Sequence, residues 1–322
     1  MASKLAIQAL PPSAYSDPAV LELENKTLFS HYWQWVGLTE ELKNPGGISA
    51  FIAGKSVQIA GEPGSLRVSL NRGESAEPIA DAIADNCGHF VFARLSKNGP
   101  SLIDFLGEYA AVLQHCNDGF DEAYHVDSQE WACNWKIGLE ITLEGYHVPV
   151  VHDADGSKFV EAVPEGRLPE YKGRHSNATG VMSDQMRAEM ATIAKRLKIS
   201  PSTIYENYDH FTLFPNMTIG FSGGCLCFMQ IYTPLAVDRT RLSFAYLLAK
   251  PLDADKPPVP VIKKTLLDKW RAYTYQVLGE DQEACERFQI GVSHATKPGL
   301  LGAKAEERVV HFQKHWRDAV KI

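Results

Sequence analysis

The chain has 322 residues, 45% apolar and 22% charged, the balance of an ordinary globular protein long enough for two unequal domains. Its net charge of −7 is spread along the chain without a concentrated Lys/Arg stripe, which argues against nucleic acid as a partner. Six cysteines are too sparse for a disulfide scaffold, and the N-terminal stretch reads as neither a secretory signal nor a membrane span, so a cytoplasmic location away from membranes is expected.

Ser16-Asp17-Pro18 reads as a helix start, a capping side chain followed by proline at the first helical position. Leu21, Leu23, Leu28 and Phe29 supply its apolar stripe, and Tyr32-Trp33 close it. From Trp35 to Leu95 short alternating runs follow, bounded by Gly, Pro and Asn: Ser49 to Ile52, Ser56 to Ile59, Ser65 to Leu70 and His89 to Leu95. They predict strands of a small β domain. Pro100 and Ser101 open a helix to about His115. Glu130 to Trp135 is expected as a strand end, Lys136 to Val148 as a helix, and Asp153 to Arg174 as a loop. Met186, Met190, Ile193 and Leu197 place an amphipathic helix over 183–198. Three alternating runs between Tyr208 and Leu248, turning at Gly223-Gly224 and Asp238-Arg239, predict antiparallel strands. Helices at about 261–278, 281–290 and 305–320 finish the chain. The fold class is α+β: an N-terminal helix within 1–40 packing on the catalytic domain, a small β domain over 41–98, and a larger domain over 99–322.

Chemistry concentrates between Asn134 and His152, NWKIGLEITLEGYHVPVVH. On a continuous helix Glu140, Glu144 and His147 share one face, at i, i+4 and i+7. His152 does not follow at that spacing. Five residues rotate a helix by about 500°, leaving the two imidazoles roughly 140° apart. Pro149 disfavours helical geometry at Val148, and a break there would bring both rings to one metal. Asp281, on a separate predicted helix, offers a carboxylate. Two His and one carboxylate form the facial triad typical of non-haem Fe(II) oxygenases, with positions left open for O2. Taken alone, Asp281 also reads as an acidic cap on the helix that follows it.

The surrounding sequence resembles the catalytic α subunits of Rieske non-haem iron oxygenases. Asn134-Trp135-Lys136, Glu140, Glu144, Tyr146-His147 and His152 follow that family's iron-ligand stretch. HFTLFPNMTI from His210 to Ile219, Pro234 with Asp238-Arg239-Thr240, Glu280 to Gly291 with Gln289, and Val309 to Trp316 resemble its later segments. The resemblance covers nearly all of 99–322. It implies a helix-grip-like catalytic domain with a large antiparallel sheet, and a mononuclear Fe(II) held by His147, His152 and Asp281. It further implies that Glu144 is the bridging acid that relays electrons and that Glu140 supports the site. The loop from Asp153 to Arg174 would cap the pocket. Ile141 departs from the pattern, standing where the family usually has Asn.

The same family carries a [2Fe–2S] cluster in its N-terminal domain, bound by Cys-x-His and Cys-x-x-His. Trp35-Val36-Gly37, Gly54 to Asn71 and Cys87 to Leu95 resemble that domain's framework, but no Cys or His lies between Asn71 and Cys87. Cys87-Gly88-His89 is spelled like the first half, yet no Cys-x-x-His follows it; Cys225 and Cys227 read as core. The small domain is therefore expected to be a degenerate Rieske-like unit with no [2Fe–2S] cluster of its own. The implied protein is a catalytic subunit of a hetero-oligomeric, trimer-based oxygenase that hydroxylates or oxidatively demethylates a small organic substrate. Electrons would come from a cluster-bearing partner subunit, ultimately from NAD(P)H through a reductase or ferredoxin. Two other classes remain open: a non-catalytic structural subunit stabilising a complete oxygenase, and a ligand-binding module without redox chemistry. Retention of all three ligands and Glu144 opposes the structural subunit.

Overall fold

The computed structural model of the chain describes residues 6–72, 75–152, 169–302 and 304–321. Most of the expected capping loop, residues 153–168, lies outside the described residues.

β1 (Ala6–Gln8) and α1 (Ser13–Ser16) precede α2 (Pro18–Glu24). Asp17 caps α2 by accepting from the Ala19 N–H at 2.9 Å, and Pro18 takes the first helical position, where no N–H is needed. Residues 25–29 prolong the helix with wider π spacing. A small β unit follows: β2 (Gln34–Leu38), β3 (Ile48–Ile52), β4 (Lys55–Ala60), β5 (Arg67–Arg72), β6 (Ser75–Pro78), β7 (Ile83–Cys87) and β8 (Phe90–Arg94). They form a four-stranded sheet in the order β3-β4-β5-β6 and a three-stranded sheet in the order β2-β8-β7. Ile48, Ile52, Val57, Ile59, Val68, Val91, Ala93 and Leu95 make its own core, while Phe90 and Phe92, alternating on β8, pack into a core shared with the large sheet.

The helix expected from Pro100 to His115 is broken into α3 (Leu102–Leu106) and α4 (Ala110–Gly119). Gly107 stands between them at φ +53, a conformation glycine adopts without a Cβ clash. β9 (Phe120–Trp131), α5 (Trp135–Glu140), α6 (Val148–Val151), β10 (Glu170–Lys172), β11 (His175–Gly180) and α7 (Asp184–Leu197) come next. Ser183 caps α7 at the expected place. The first of the three alternating runs splits into β12 (Tyr208–Leu213) and β13 (Met217–Ser222), because Phe214-Pro215-Asn216 turns the chain, with Asn216 donating to the Tyr232 carbonyl at 2.9 Å. β14 (Leu226–Ala236) and β15 (Arg239–Ala249) complete the meander. The two helices expected between 261 and 290 are one, α8 (Pro260–His294), since a single interior glycine, Gly279, costs only about 1 kcal/mol against alanine and does not stop a long helix. β16 (Leu300–Gly302), paired with β1, and α9 (Glu307–Val320) end the fold.

The large sheet is antiparallel, in the order β10-β11-β12-β13-β14-β15-β9. Period-two alternation gives it two unlike faces. Phe211, Leu213, Met217, Ile219, Phe221, Cys227, Met229, Ala245 and Leu247 bury one face against Val112 and Cys116 of α4 and Met190 and Leu197 of α7. The opposite face carries His210, Thr212, Gln230, Tyr232 and Tyr246, and α5, α8 and α9 pack toward it. A buried sheet face of that polarity is unusual for a core.

Candidate metal centre

The stretch from Asn134 is anchored before the candidate ligand side chains begin. Asn134 caps α5 by accepting from the Lys136 N–H, while its own N–H donates to Gln289 Oε1 at 2.8 Å. Trp135 Nε1 donates to Glu24 Oε2 at 2.9 Å, and Lys136 Nζ and Trp316 Nε1 donate to Glu24 Oε1 at 2.5 and 2.7 Å. All four side chains are fully or nearly fully buried. Burial lowers the Lys136 pKa, and the Glu24 charge opposes that shift.

The helix does not continue to Val148 as expected. It tightens at Ile141–Leu143, where Thr142 Oγ1 donates back to the Leu139 carbonyl, and Glu144 is extended. Glu144 instead accepts from the N–H groups of Tyr146 (2.7 Å) and His147 (3.1 Å), starting a new turn. Pro149 then falls within the first two positions of α6, which tolerate it, so the break lies before His147 and not at Val148. His147 and His152 flank this single turn, with ring centroids 5.4 Å apart. Glu140, Glu144 and His147 therefore do not share a regular helical face.

Asp281 projects from the middle of α8 and caps nothing. Its Oδ1 lies 3.6 Å from His147 Nε2 and 3.3 Å from His152 Nε2, and one ligand atom from each residue falls within 4.8 Å of the others. The tautomers follow from the outer partners. His147 Nδ1 contacts Glu144 Oε1 at 2.6 Å, and His152 Nδ1 contacts Glu280 Oε2 at 2.7 Å. An ionised carboxylate only accepts, so each Nδ1 carries the proton and each Nε2 turns a lone pair to the centre. Burial alone would lower the His152 pKa; the negative charge of Asp281 and the contact and charge of Glu280 outweigh it and raise it. Asp281 Oδ1 is buried with no hydrogen-bond partner among the described residues. Two aligned lone pairs and an orphaned buried carboxylate oxygen fit a divalent cation, and the donor set suits iron.

Glu140 does not reach this centre. Its carboxylate accepts from Tyr15 Oη at 3.0 Å and Gln313 Nε2 at 2.9 Å. Burial raises its pKa to about 7, against lowering by Gln313, Tyr15 and Lys136. A carboxyl raised in the folded state contributes stability fully below its unfolded pKa and loses it as pH rises through about 7. Glu140→Gln should therefore melt higher than the parent at pH 8 and lose that advantage by pH 5, with a ceiling of about 3 kcal/mol; thermal melts across that range check it.

Sequence reasoning missed Glu280, although its place beside Asp281 on a helix next to the histidines was a signal. It also missed Arg308 and the aromatic wall of Tyr208, Phe228 and Tyr246, which alternation marks only as one sheet face. Ile141 packs against the apolar core and offers no polar group. Cys87 and His89 sit on a hairpin turn, the thiol buried toward the Ala110 carbonyl and the imidazole exposed. A cavity of about 960 Å³ lined by Trp33, Arg94, Phe105, Arg174 and His175 shares no residue with the triad.

The family described as ring hydroxylating alpha subunit (catalytic domain) matches residues 117–322. Among solved structures, the quaternary ammonium Rieske monooxygenase CntA superposes with a TM-score of 0.75 at 15% identity, covering 98% of this chain and 96% of that one. Naphthalene 1,2-dioxygenase from Rhodococcus sp. superposes with a TM-score of 0.68 at 15% identity, covering 97% and 94%. A further naphthalene 1,2-dioxygenase with indole bound reaches 0.70 at 16%, covering 99% and 94%. At such identities the likeness establishes the fold, including the small β unit. No curated protein sequence matches. Among the described residues no helix is long and apolar enough to cross a membrane. The family binds mononuclear non-haem iron, and its α subunits act on small molecules with partner electron-transfer proteins. With a catalytic-domain match over well more than half its length, this chain belongs to the α subunits of the Rieske-type ring-hydroxylating oxygenases and is a non-haem iron oxidoreductase.

Proposed function

We propose that this chain is the catalytic subunit of a hetero-oligomeric oxygenase that hydroxylates or oxidatively demethylates a small organic substrate, reduced by a partner subunit that bears the cluster this chain lacks. One observation carries the reading: His147 and His152 direct their Nε2 atoms at Asp281 Oδ1, and among the described residues this is the one such group of potential ligands. His147, His152 and Asp281 are the iron ligands in this reading, and the bound iron supplies O2 activation and the oxidising power. The rest is the work of the protein. Glu144 and Glu280 hold the two imidazoles in one tautomer and orientation. Gln313 and Tyr15 hold Glu140, which fixes the end of α5 ahead of the ligand turn. The division into 1–40, 41–98 and 99–322 is part of the proposal, supported by the separate small core of the β unit and by the burial of Glu24 under α5 and α9.

Electron entry is assigned to Glu144. Its carboxylate is in direct contact with the ligand His147, and Tyr146, just outside it, is 54% exposed and donates to Glu306 Oε1. A partner imidazole docking beside Tyr146 would lie one carboxylate away from the metal ligand. Glu144→Gln keeps an acceptor for His147 Nδ1–H, so iron content should stay within about 10-fold of the parent affinity. Partner-driven turnover should fall by about 100-fold or more. Turnover at the parental rate with the cluster-bearing partner would remove Glu144 from the relay. The reading as a whole is tested by anaerobic reconstitution with Fe(II), followed by addition of partner, reductase and NAD(P)H. Stoichiometric iron and partner-dependent oxygen consumption are expected; a chain that holds no iron is a structural subunit instead.

A further inference from the structure

Arg308 is a buried charge for which the metal chemistry has no use. It enters from the first turn of α9 toward the polar face of the large sheet and is 4% exposed. Nε donates to Ser176 Oγ at 3.2 Å, and Nη2 donates to His210 Nδ1 at 3.1 Å, to Thr212 Oγ1 at 2.8 Å and to the His210 carbonyl at 3.5 Å. Every acceptor is neutral. Arginine only donates, so His210 Nδ1 is a lone pair and that ring is uncharged, as its burial and the arginine's charge also require. Among the described residues no Asp or Glu pairs with Arg308, and Nη1 has no hydrogen-bond partner. Lys136, equally buried, shows the contrasting solution with Glu24 beside it. Arg94, also without an acid among the described residues, lies over the face of Trp33 and donates from Nη2 to the carbonyls of Lys97 and Gly99, its Nε and Nη1 unpartnered, and it sits away from the metal residues.

A guanidinium out of water with no acid beside it among the described residues is expensive, and its planar fork matches a carboxylate. The surroundings say where that carboxylate would belong. His210 pairs across the sheet with Gly220, Gly220 with Phe228, and Phe228 with Tyr246, so these residues form one row on one face. A Cβ on Gly220 would meet Phe228 Cζ at 1.9 Å; its absence lets that ring lie flat on the strand. Tyr208 and Phe228 stack at 6.0 Å, and Phe228 and Tyr246 at 5.8 Å. The Tyr208 hydroxyl is raised by burial first, then by neighbouring Tyr246 and Asp281, and lowered by Arg308, so it feels both the metal-side carboxylate and the arginine.

We propose that Arg308 anchors a carboxylate of the substrate, which makes the substrate a small organic acid whose apolar body lies along the Tyr208–Phe228–Tyr246 wall. The oxidisable carbon then points toward Asp281, and the distance from carboxylate to that carbon sets which acids are accepted. The chemistry in this proposal rests on the oxygenase reading; the binding does not. The test is calorimetric titration of the full-length, metal-free chain with benzoate, phenylacetate and butyrate, each against its neutral amide. At least one acid should bind about 10-fold or more tighter than its amide, and Arg308→Gln should erase that preference. If the amides bind as well as the acids, if none of the acids binds, or if Arg308→Gln keeps the preference, the anchor is wrong. Should that variant fail to fold, the acid-against-amide comparison in the parent decides alone. Acid preference without iron binding would sink the oxygenase reading and leave the anchor standing; iron binding without acid preference would do the reverse.

Discussion

Asp281→Ala should empty the iron site and leave the metal-free protein at least as stable as its parent. Losing an outer partner of a metal ligand already costs about 10–100-fold in affinity, and losing a ligand should exceed that. The stability half follows from the orphaned Oδ1, a buried carboxylate oxygen with no hydrogen bond among the described residues. Such a group is a penalty in the absence of metal, so removing it relieves the apo state. Iron stabilises the parent by mass action, about 4 kcal/mol at a thousandfold excess over Kd, and the variant should forfeit that gain. Metal analysis and melts with and without Fe(II) separate the two halves. A variant that still retains stoichiometric iron, or whose apo form melts far below the parent, would show that Asp281 is structural.

Glu24→Ala should be the most destabilising single change outside the apolar core, by about 3–5 kcal/mol, because it strands Lys136 in a dry site. Glu24 receives three donors, from Trp135, Lys136 and Trp316, and both charged partners are completely buried. For a chain of this size that loss corresponds to a melting shift on the order of 10 °C. The double variant Glu24→Leu/Lys136→Met should recover much of it, since an apolar pair of similar volume has no charge to desolvate. Denaturant midpoints of the single and double variants check this. A double variant no better than the single one would mean that the indole hydrogen bonds, and not the stranded ammonium, dominate.

How much was legible depended on whether a signal is local. The cap at Asp17-Pro18, the amphipathic stripe of 184–197 and the alternation of 226–249 are local chemistry, and the structure follows them. The ligand turn is where local reasoning failed. Spacing alone favoured a helix through Glu144, but Glu144's side chain competes for the N–H groups of Tyr146 and His147 and restarts the chain. That competition has no periodicity to detect. Asp281 was reached through the family resemblance and not through spacing, and the role of Glu280 was not reached at all, because α8 meets the ligand turn only through tertiary packing more than a hundred residues away. The aromatic wall depended likewise on register: which of Tyr208 or Asp209 shares the face of His210 and Tyr246 is decided by pairing with Ser222 and Phe221, not by either residue's character.

The tie between Glu24, Lys136 and Trp316 has a consequence for how this protein is made on the ribosome. Its three contributors come from positions 24, 136 and 316, and β1 at residues 6–8 pairs with β16 at 300–302. The small β unit encloses its own core within residues 48–95 and can fold while synthesis continues. The iron-binding half has no such option. Lys136 emerges with Glu24 already present but without Trp316, so the charged pair stays half-wrapped until the chain through Trp316 has been translated. Folding there waits for α9, the segment from Lys136 onward is exposed meanwhile, and chaperone protection should raise the yield of folded subunit.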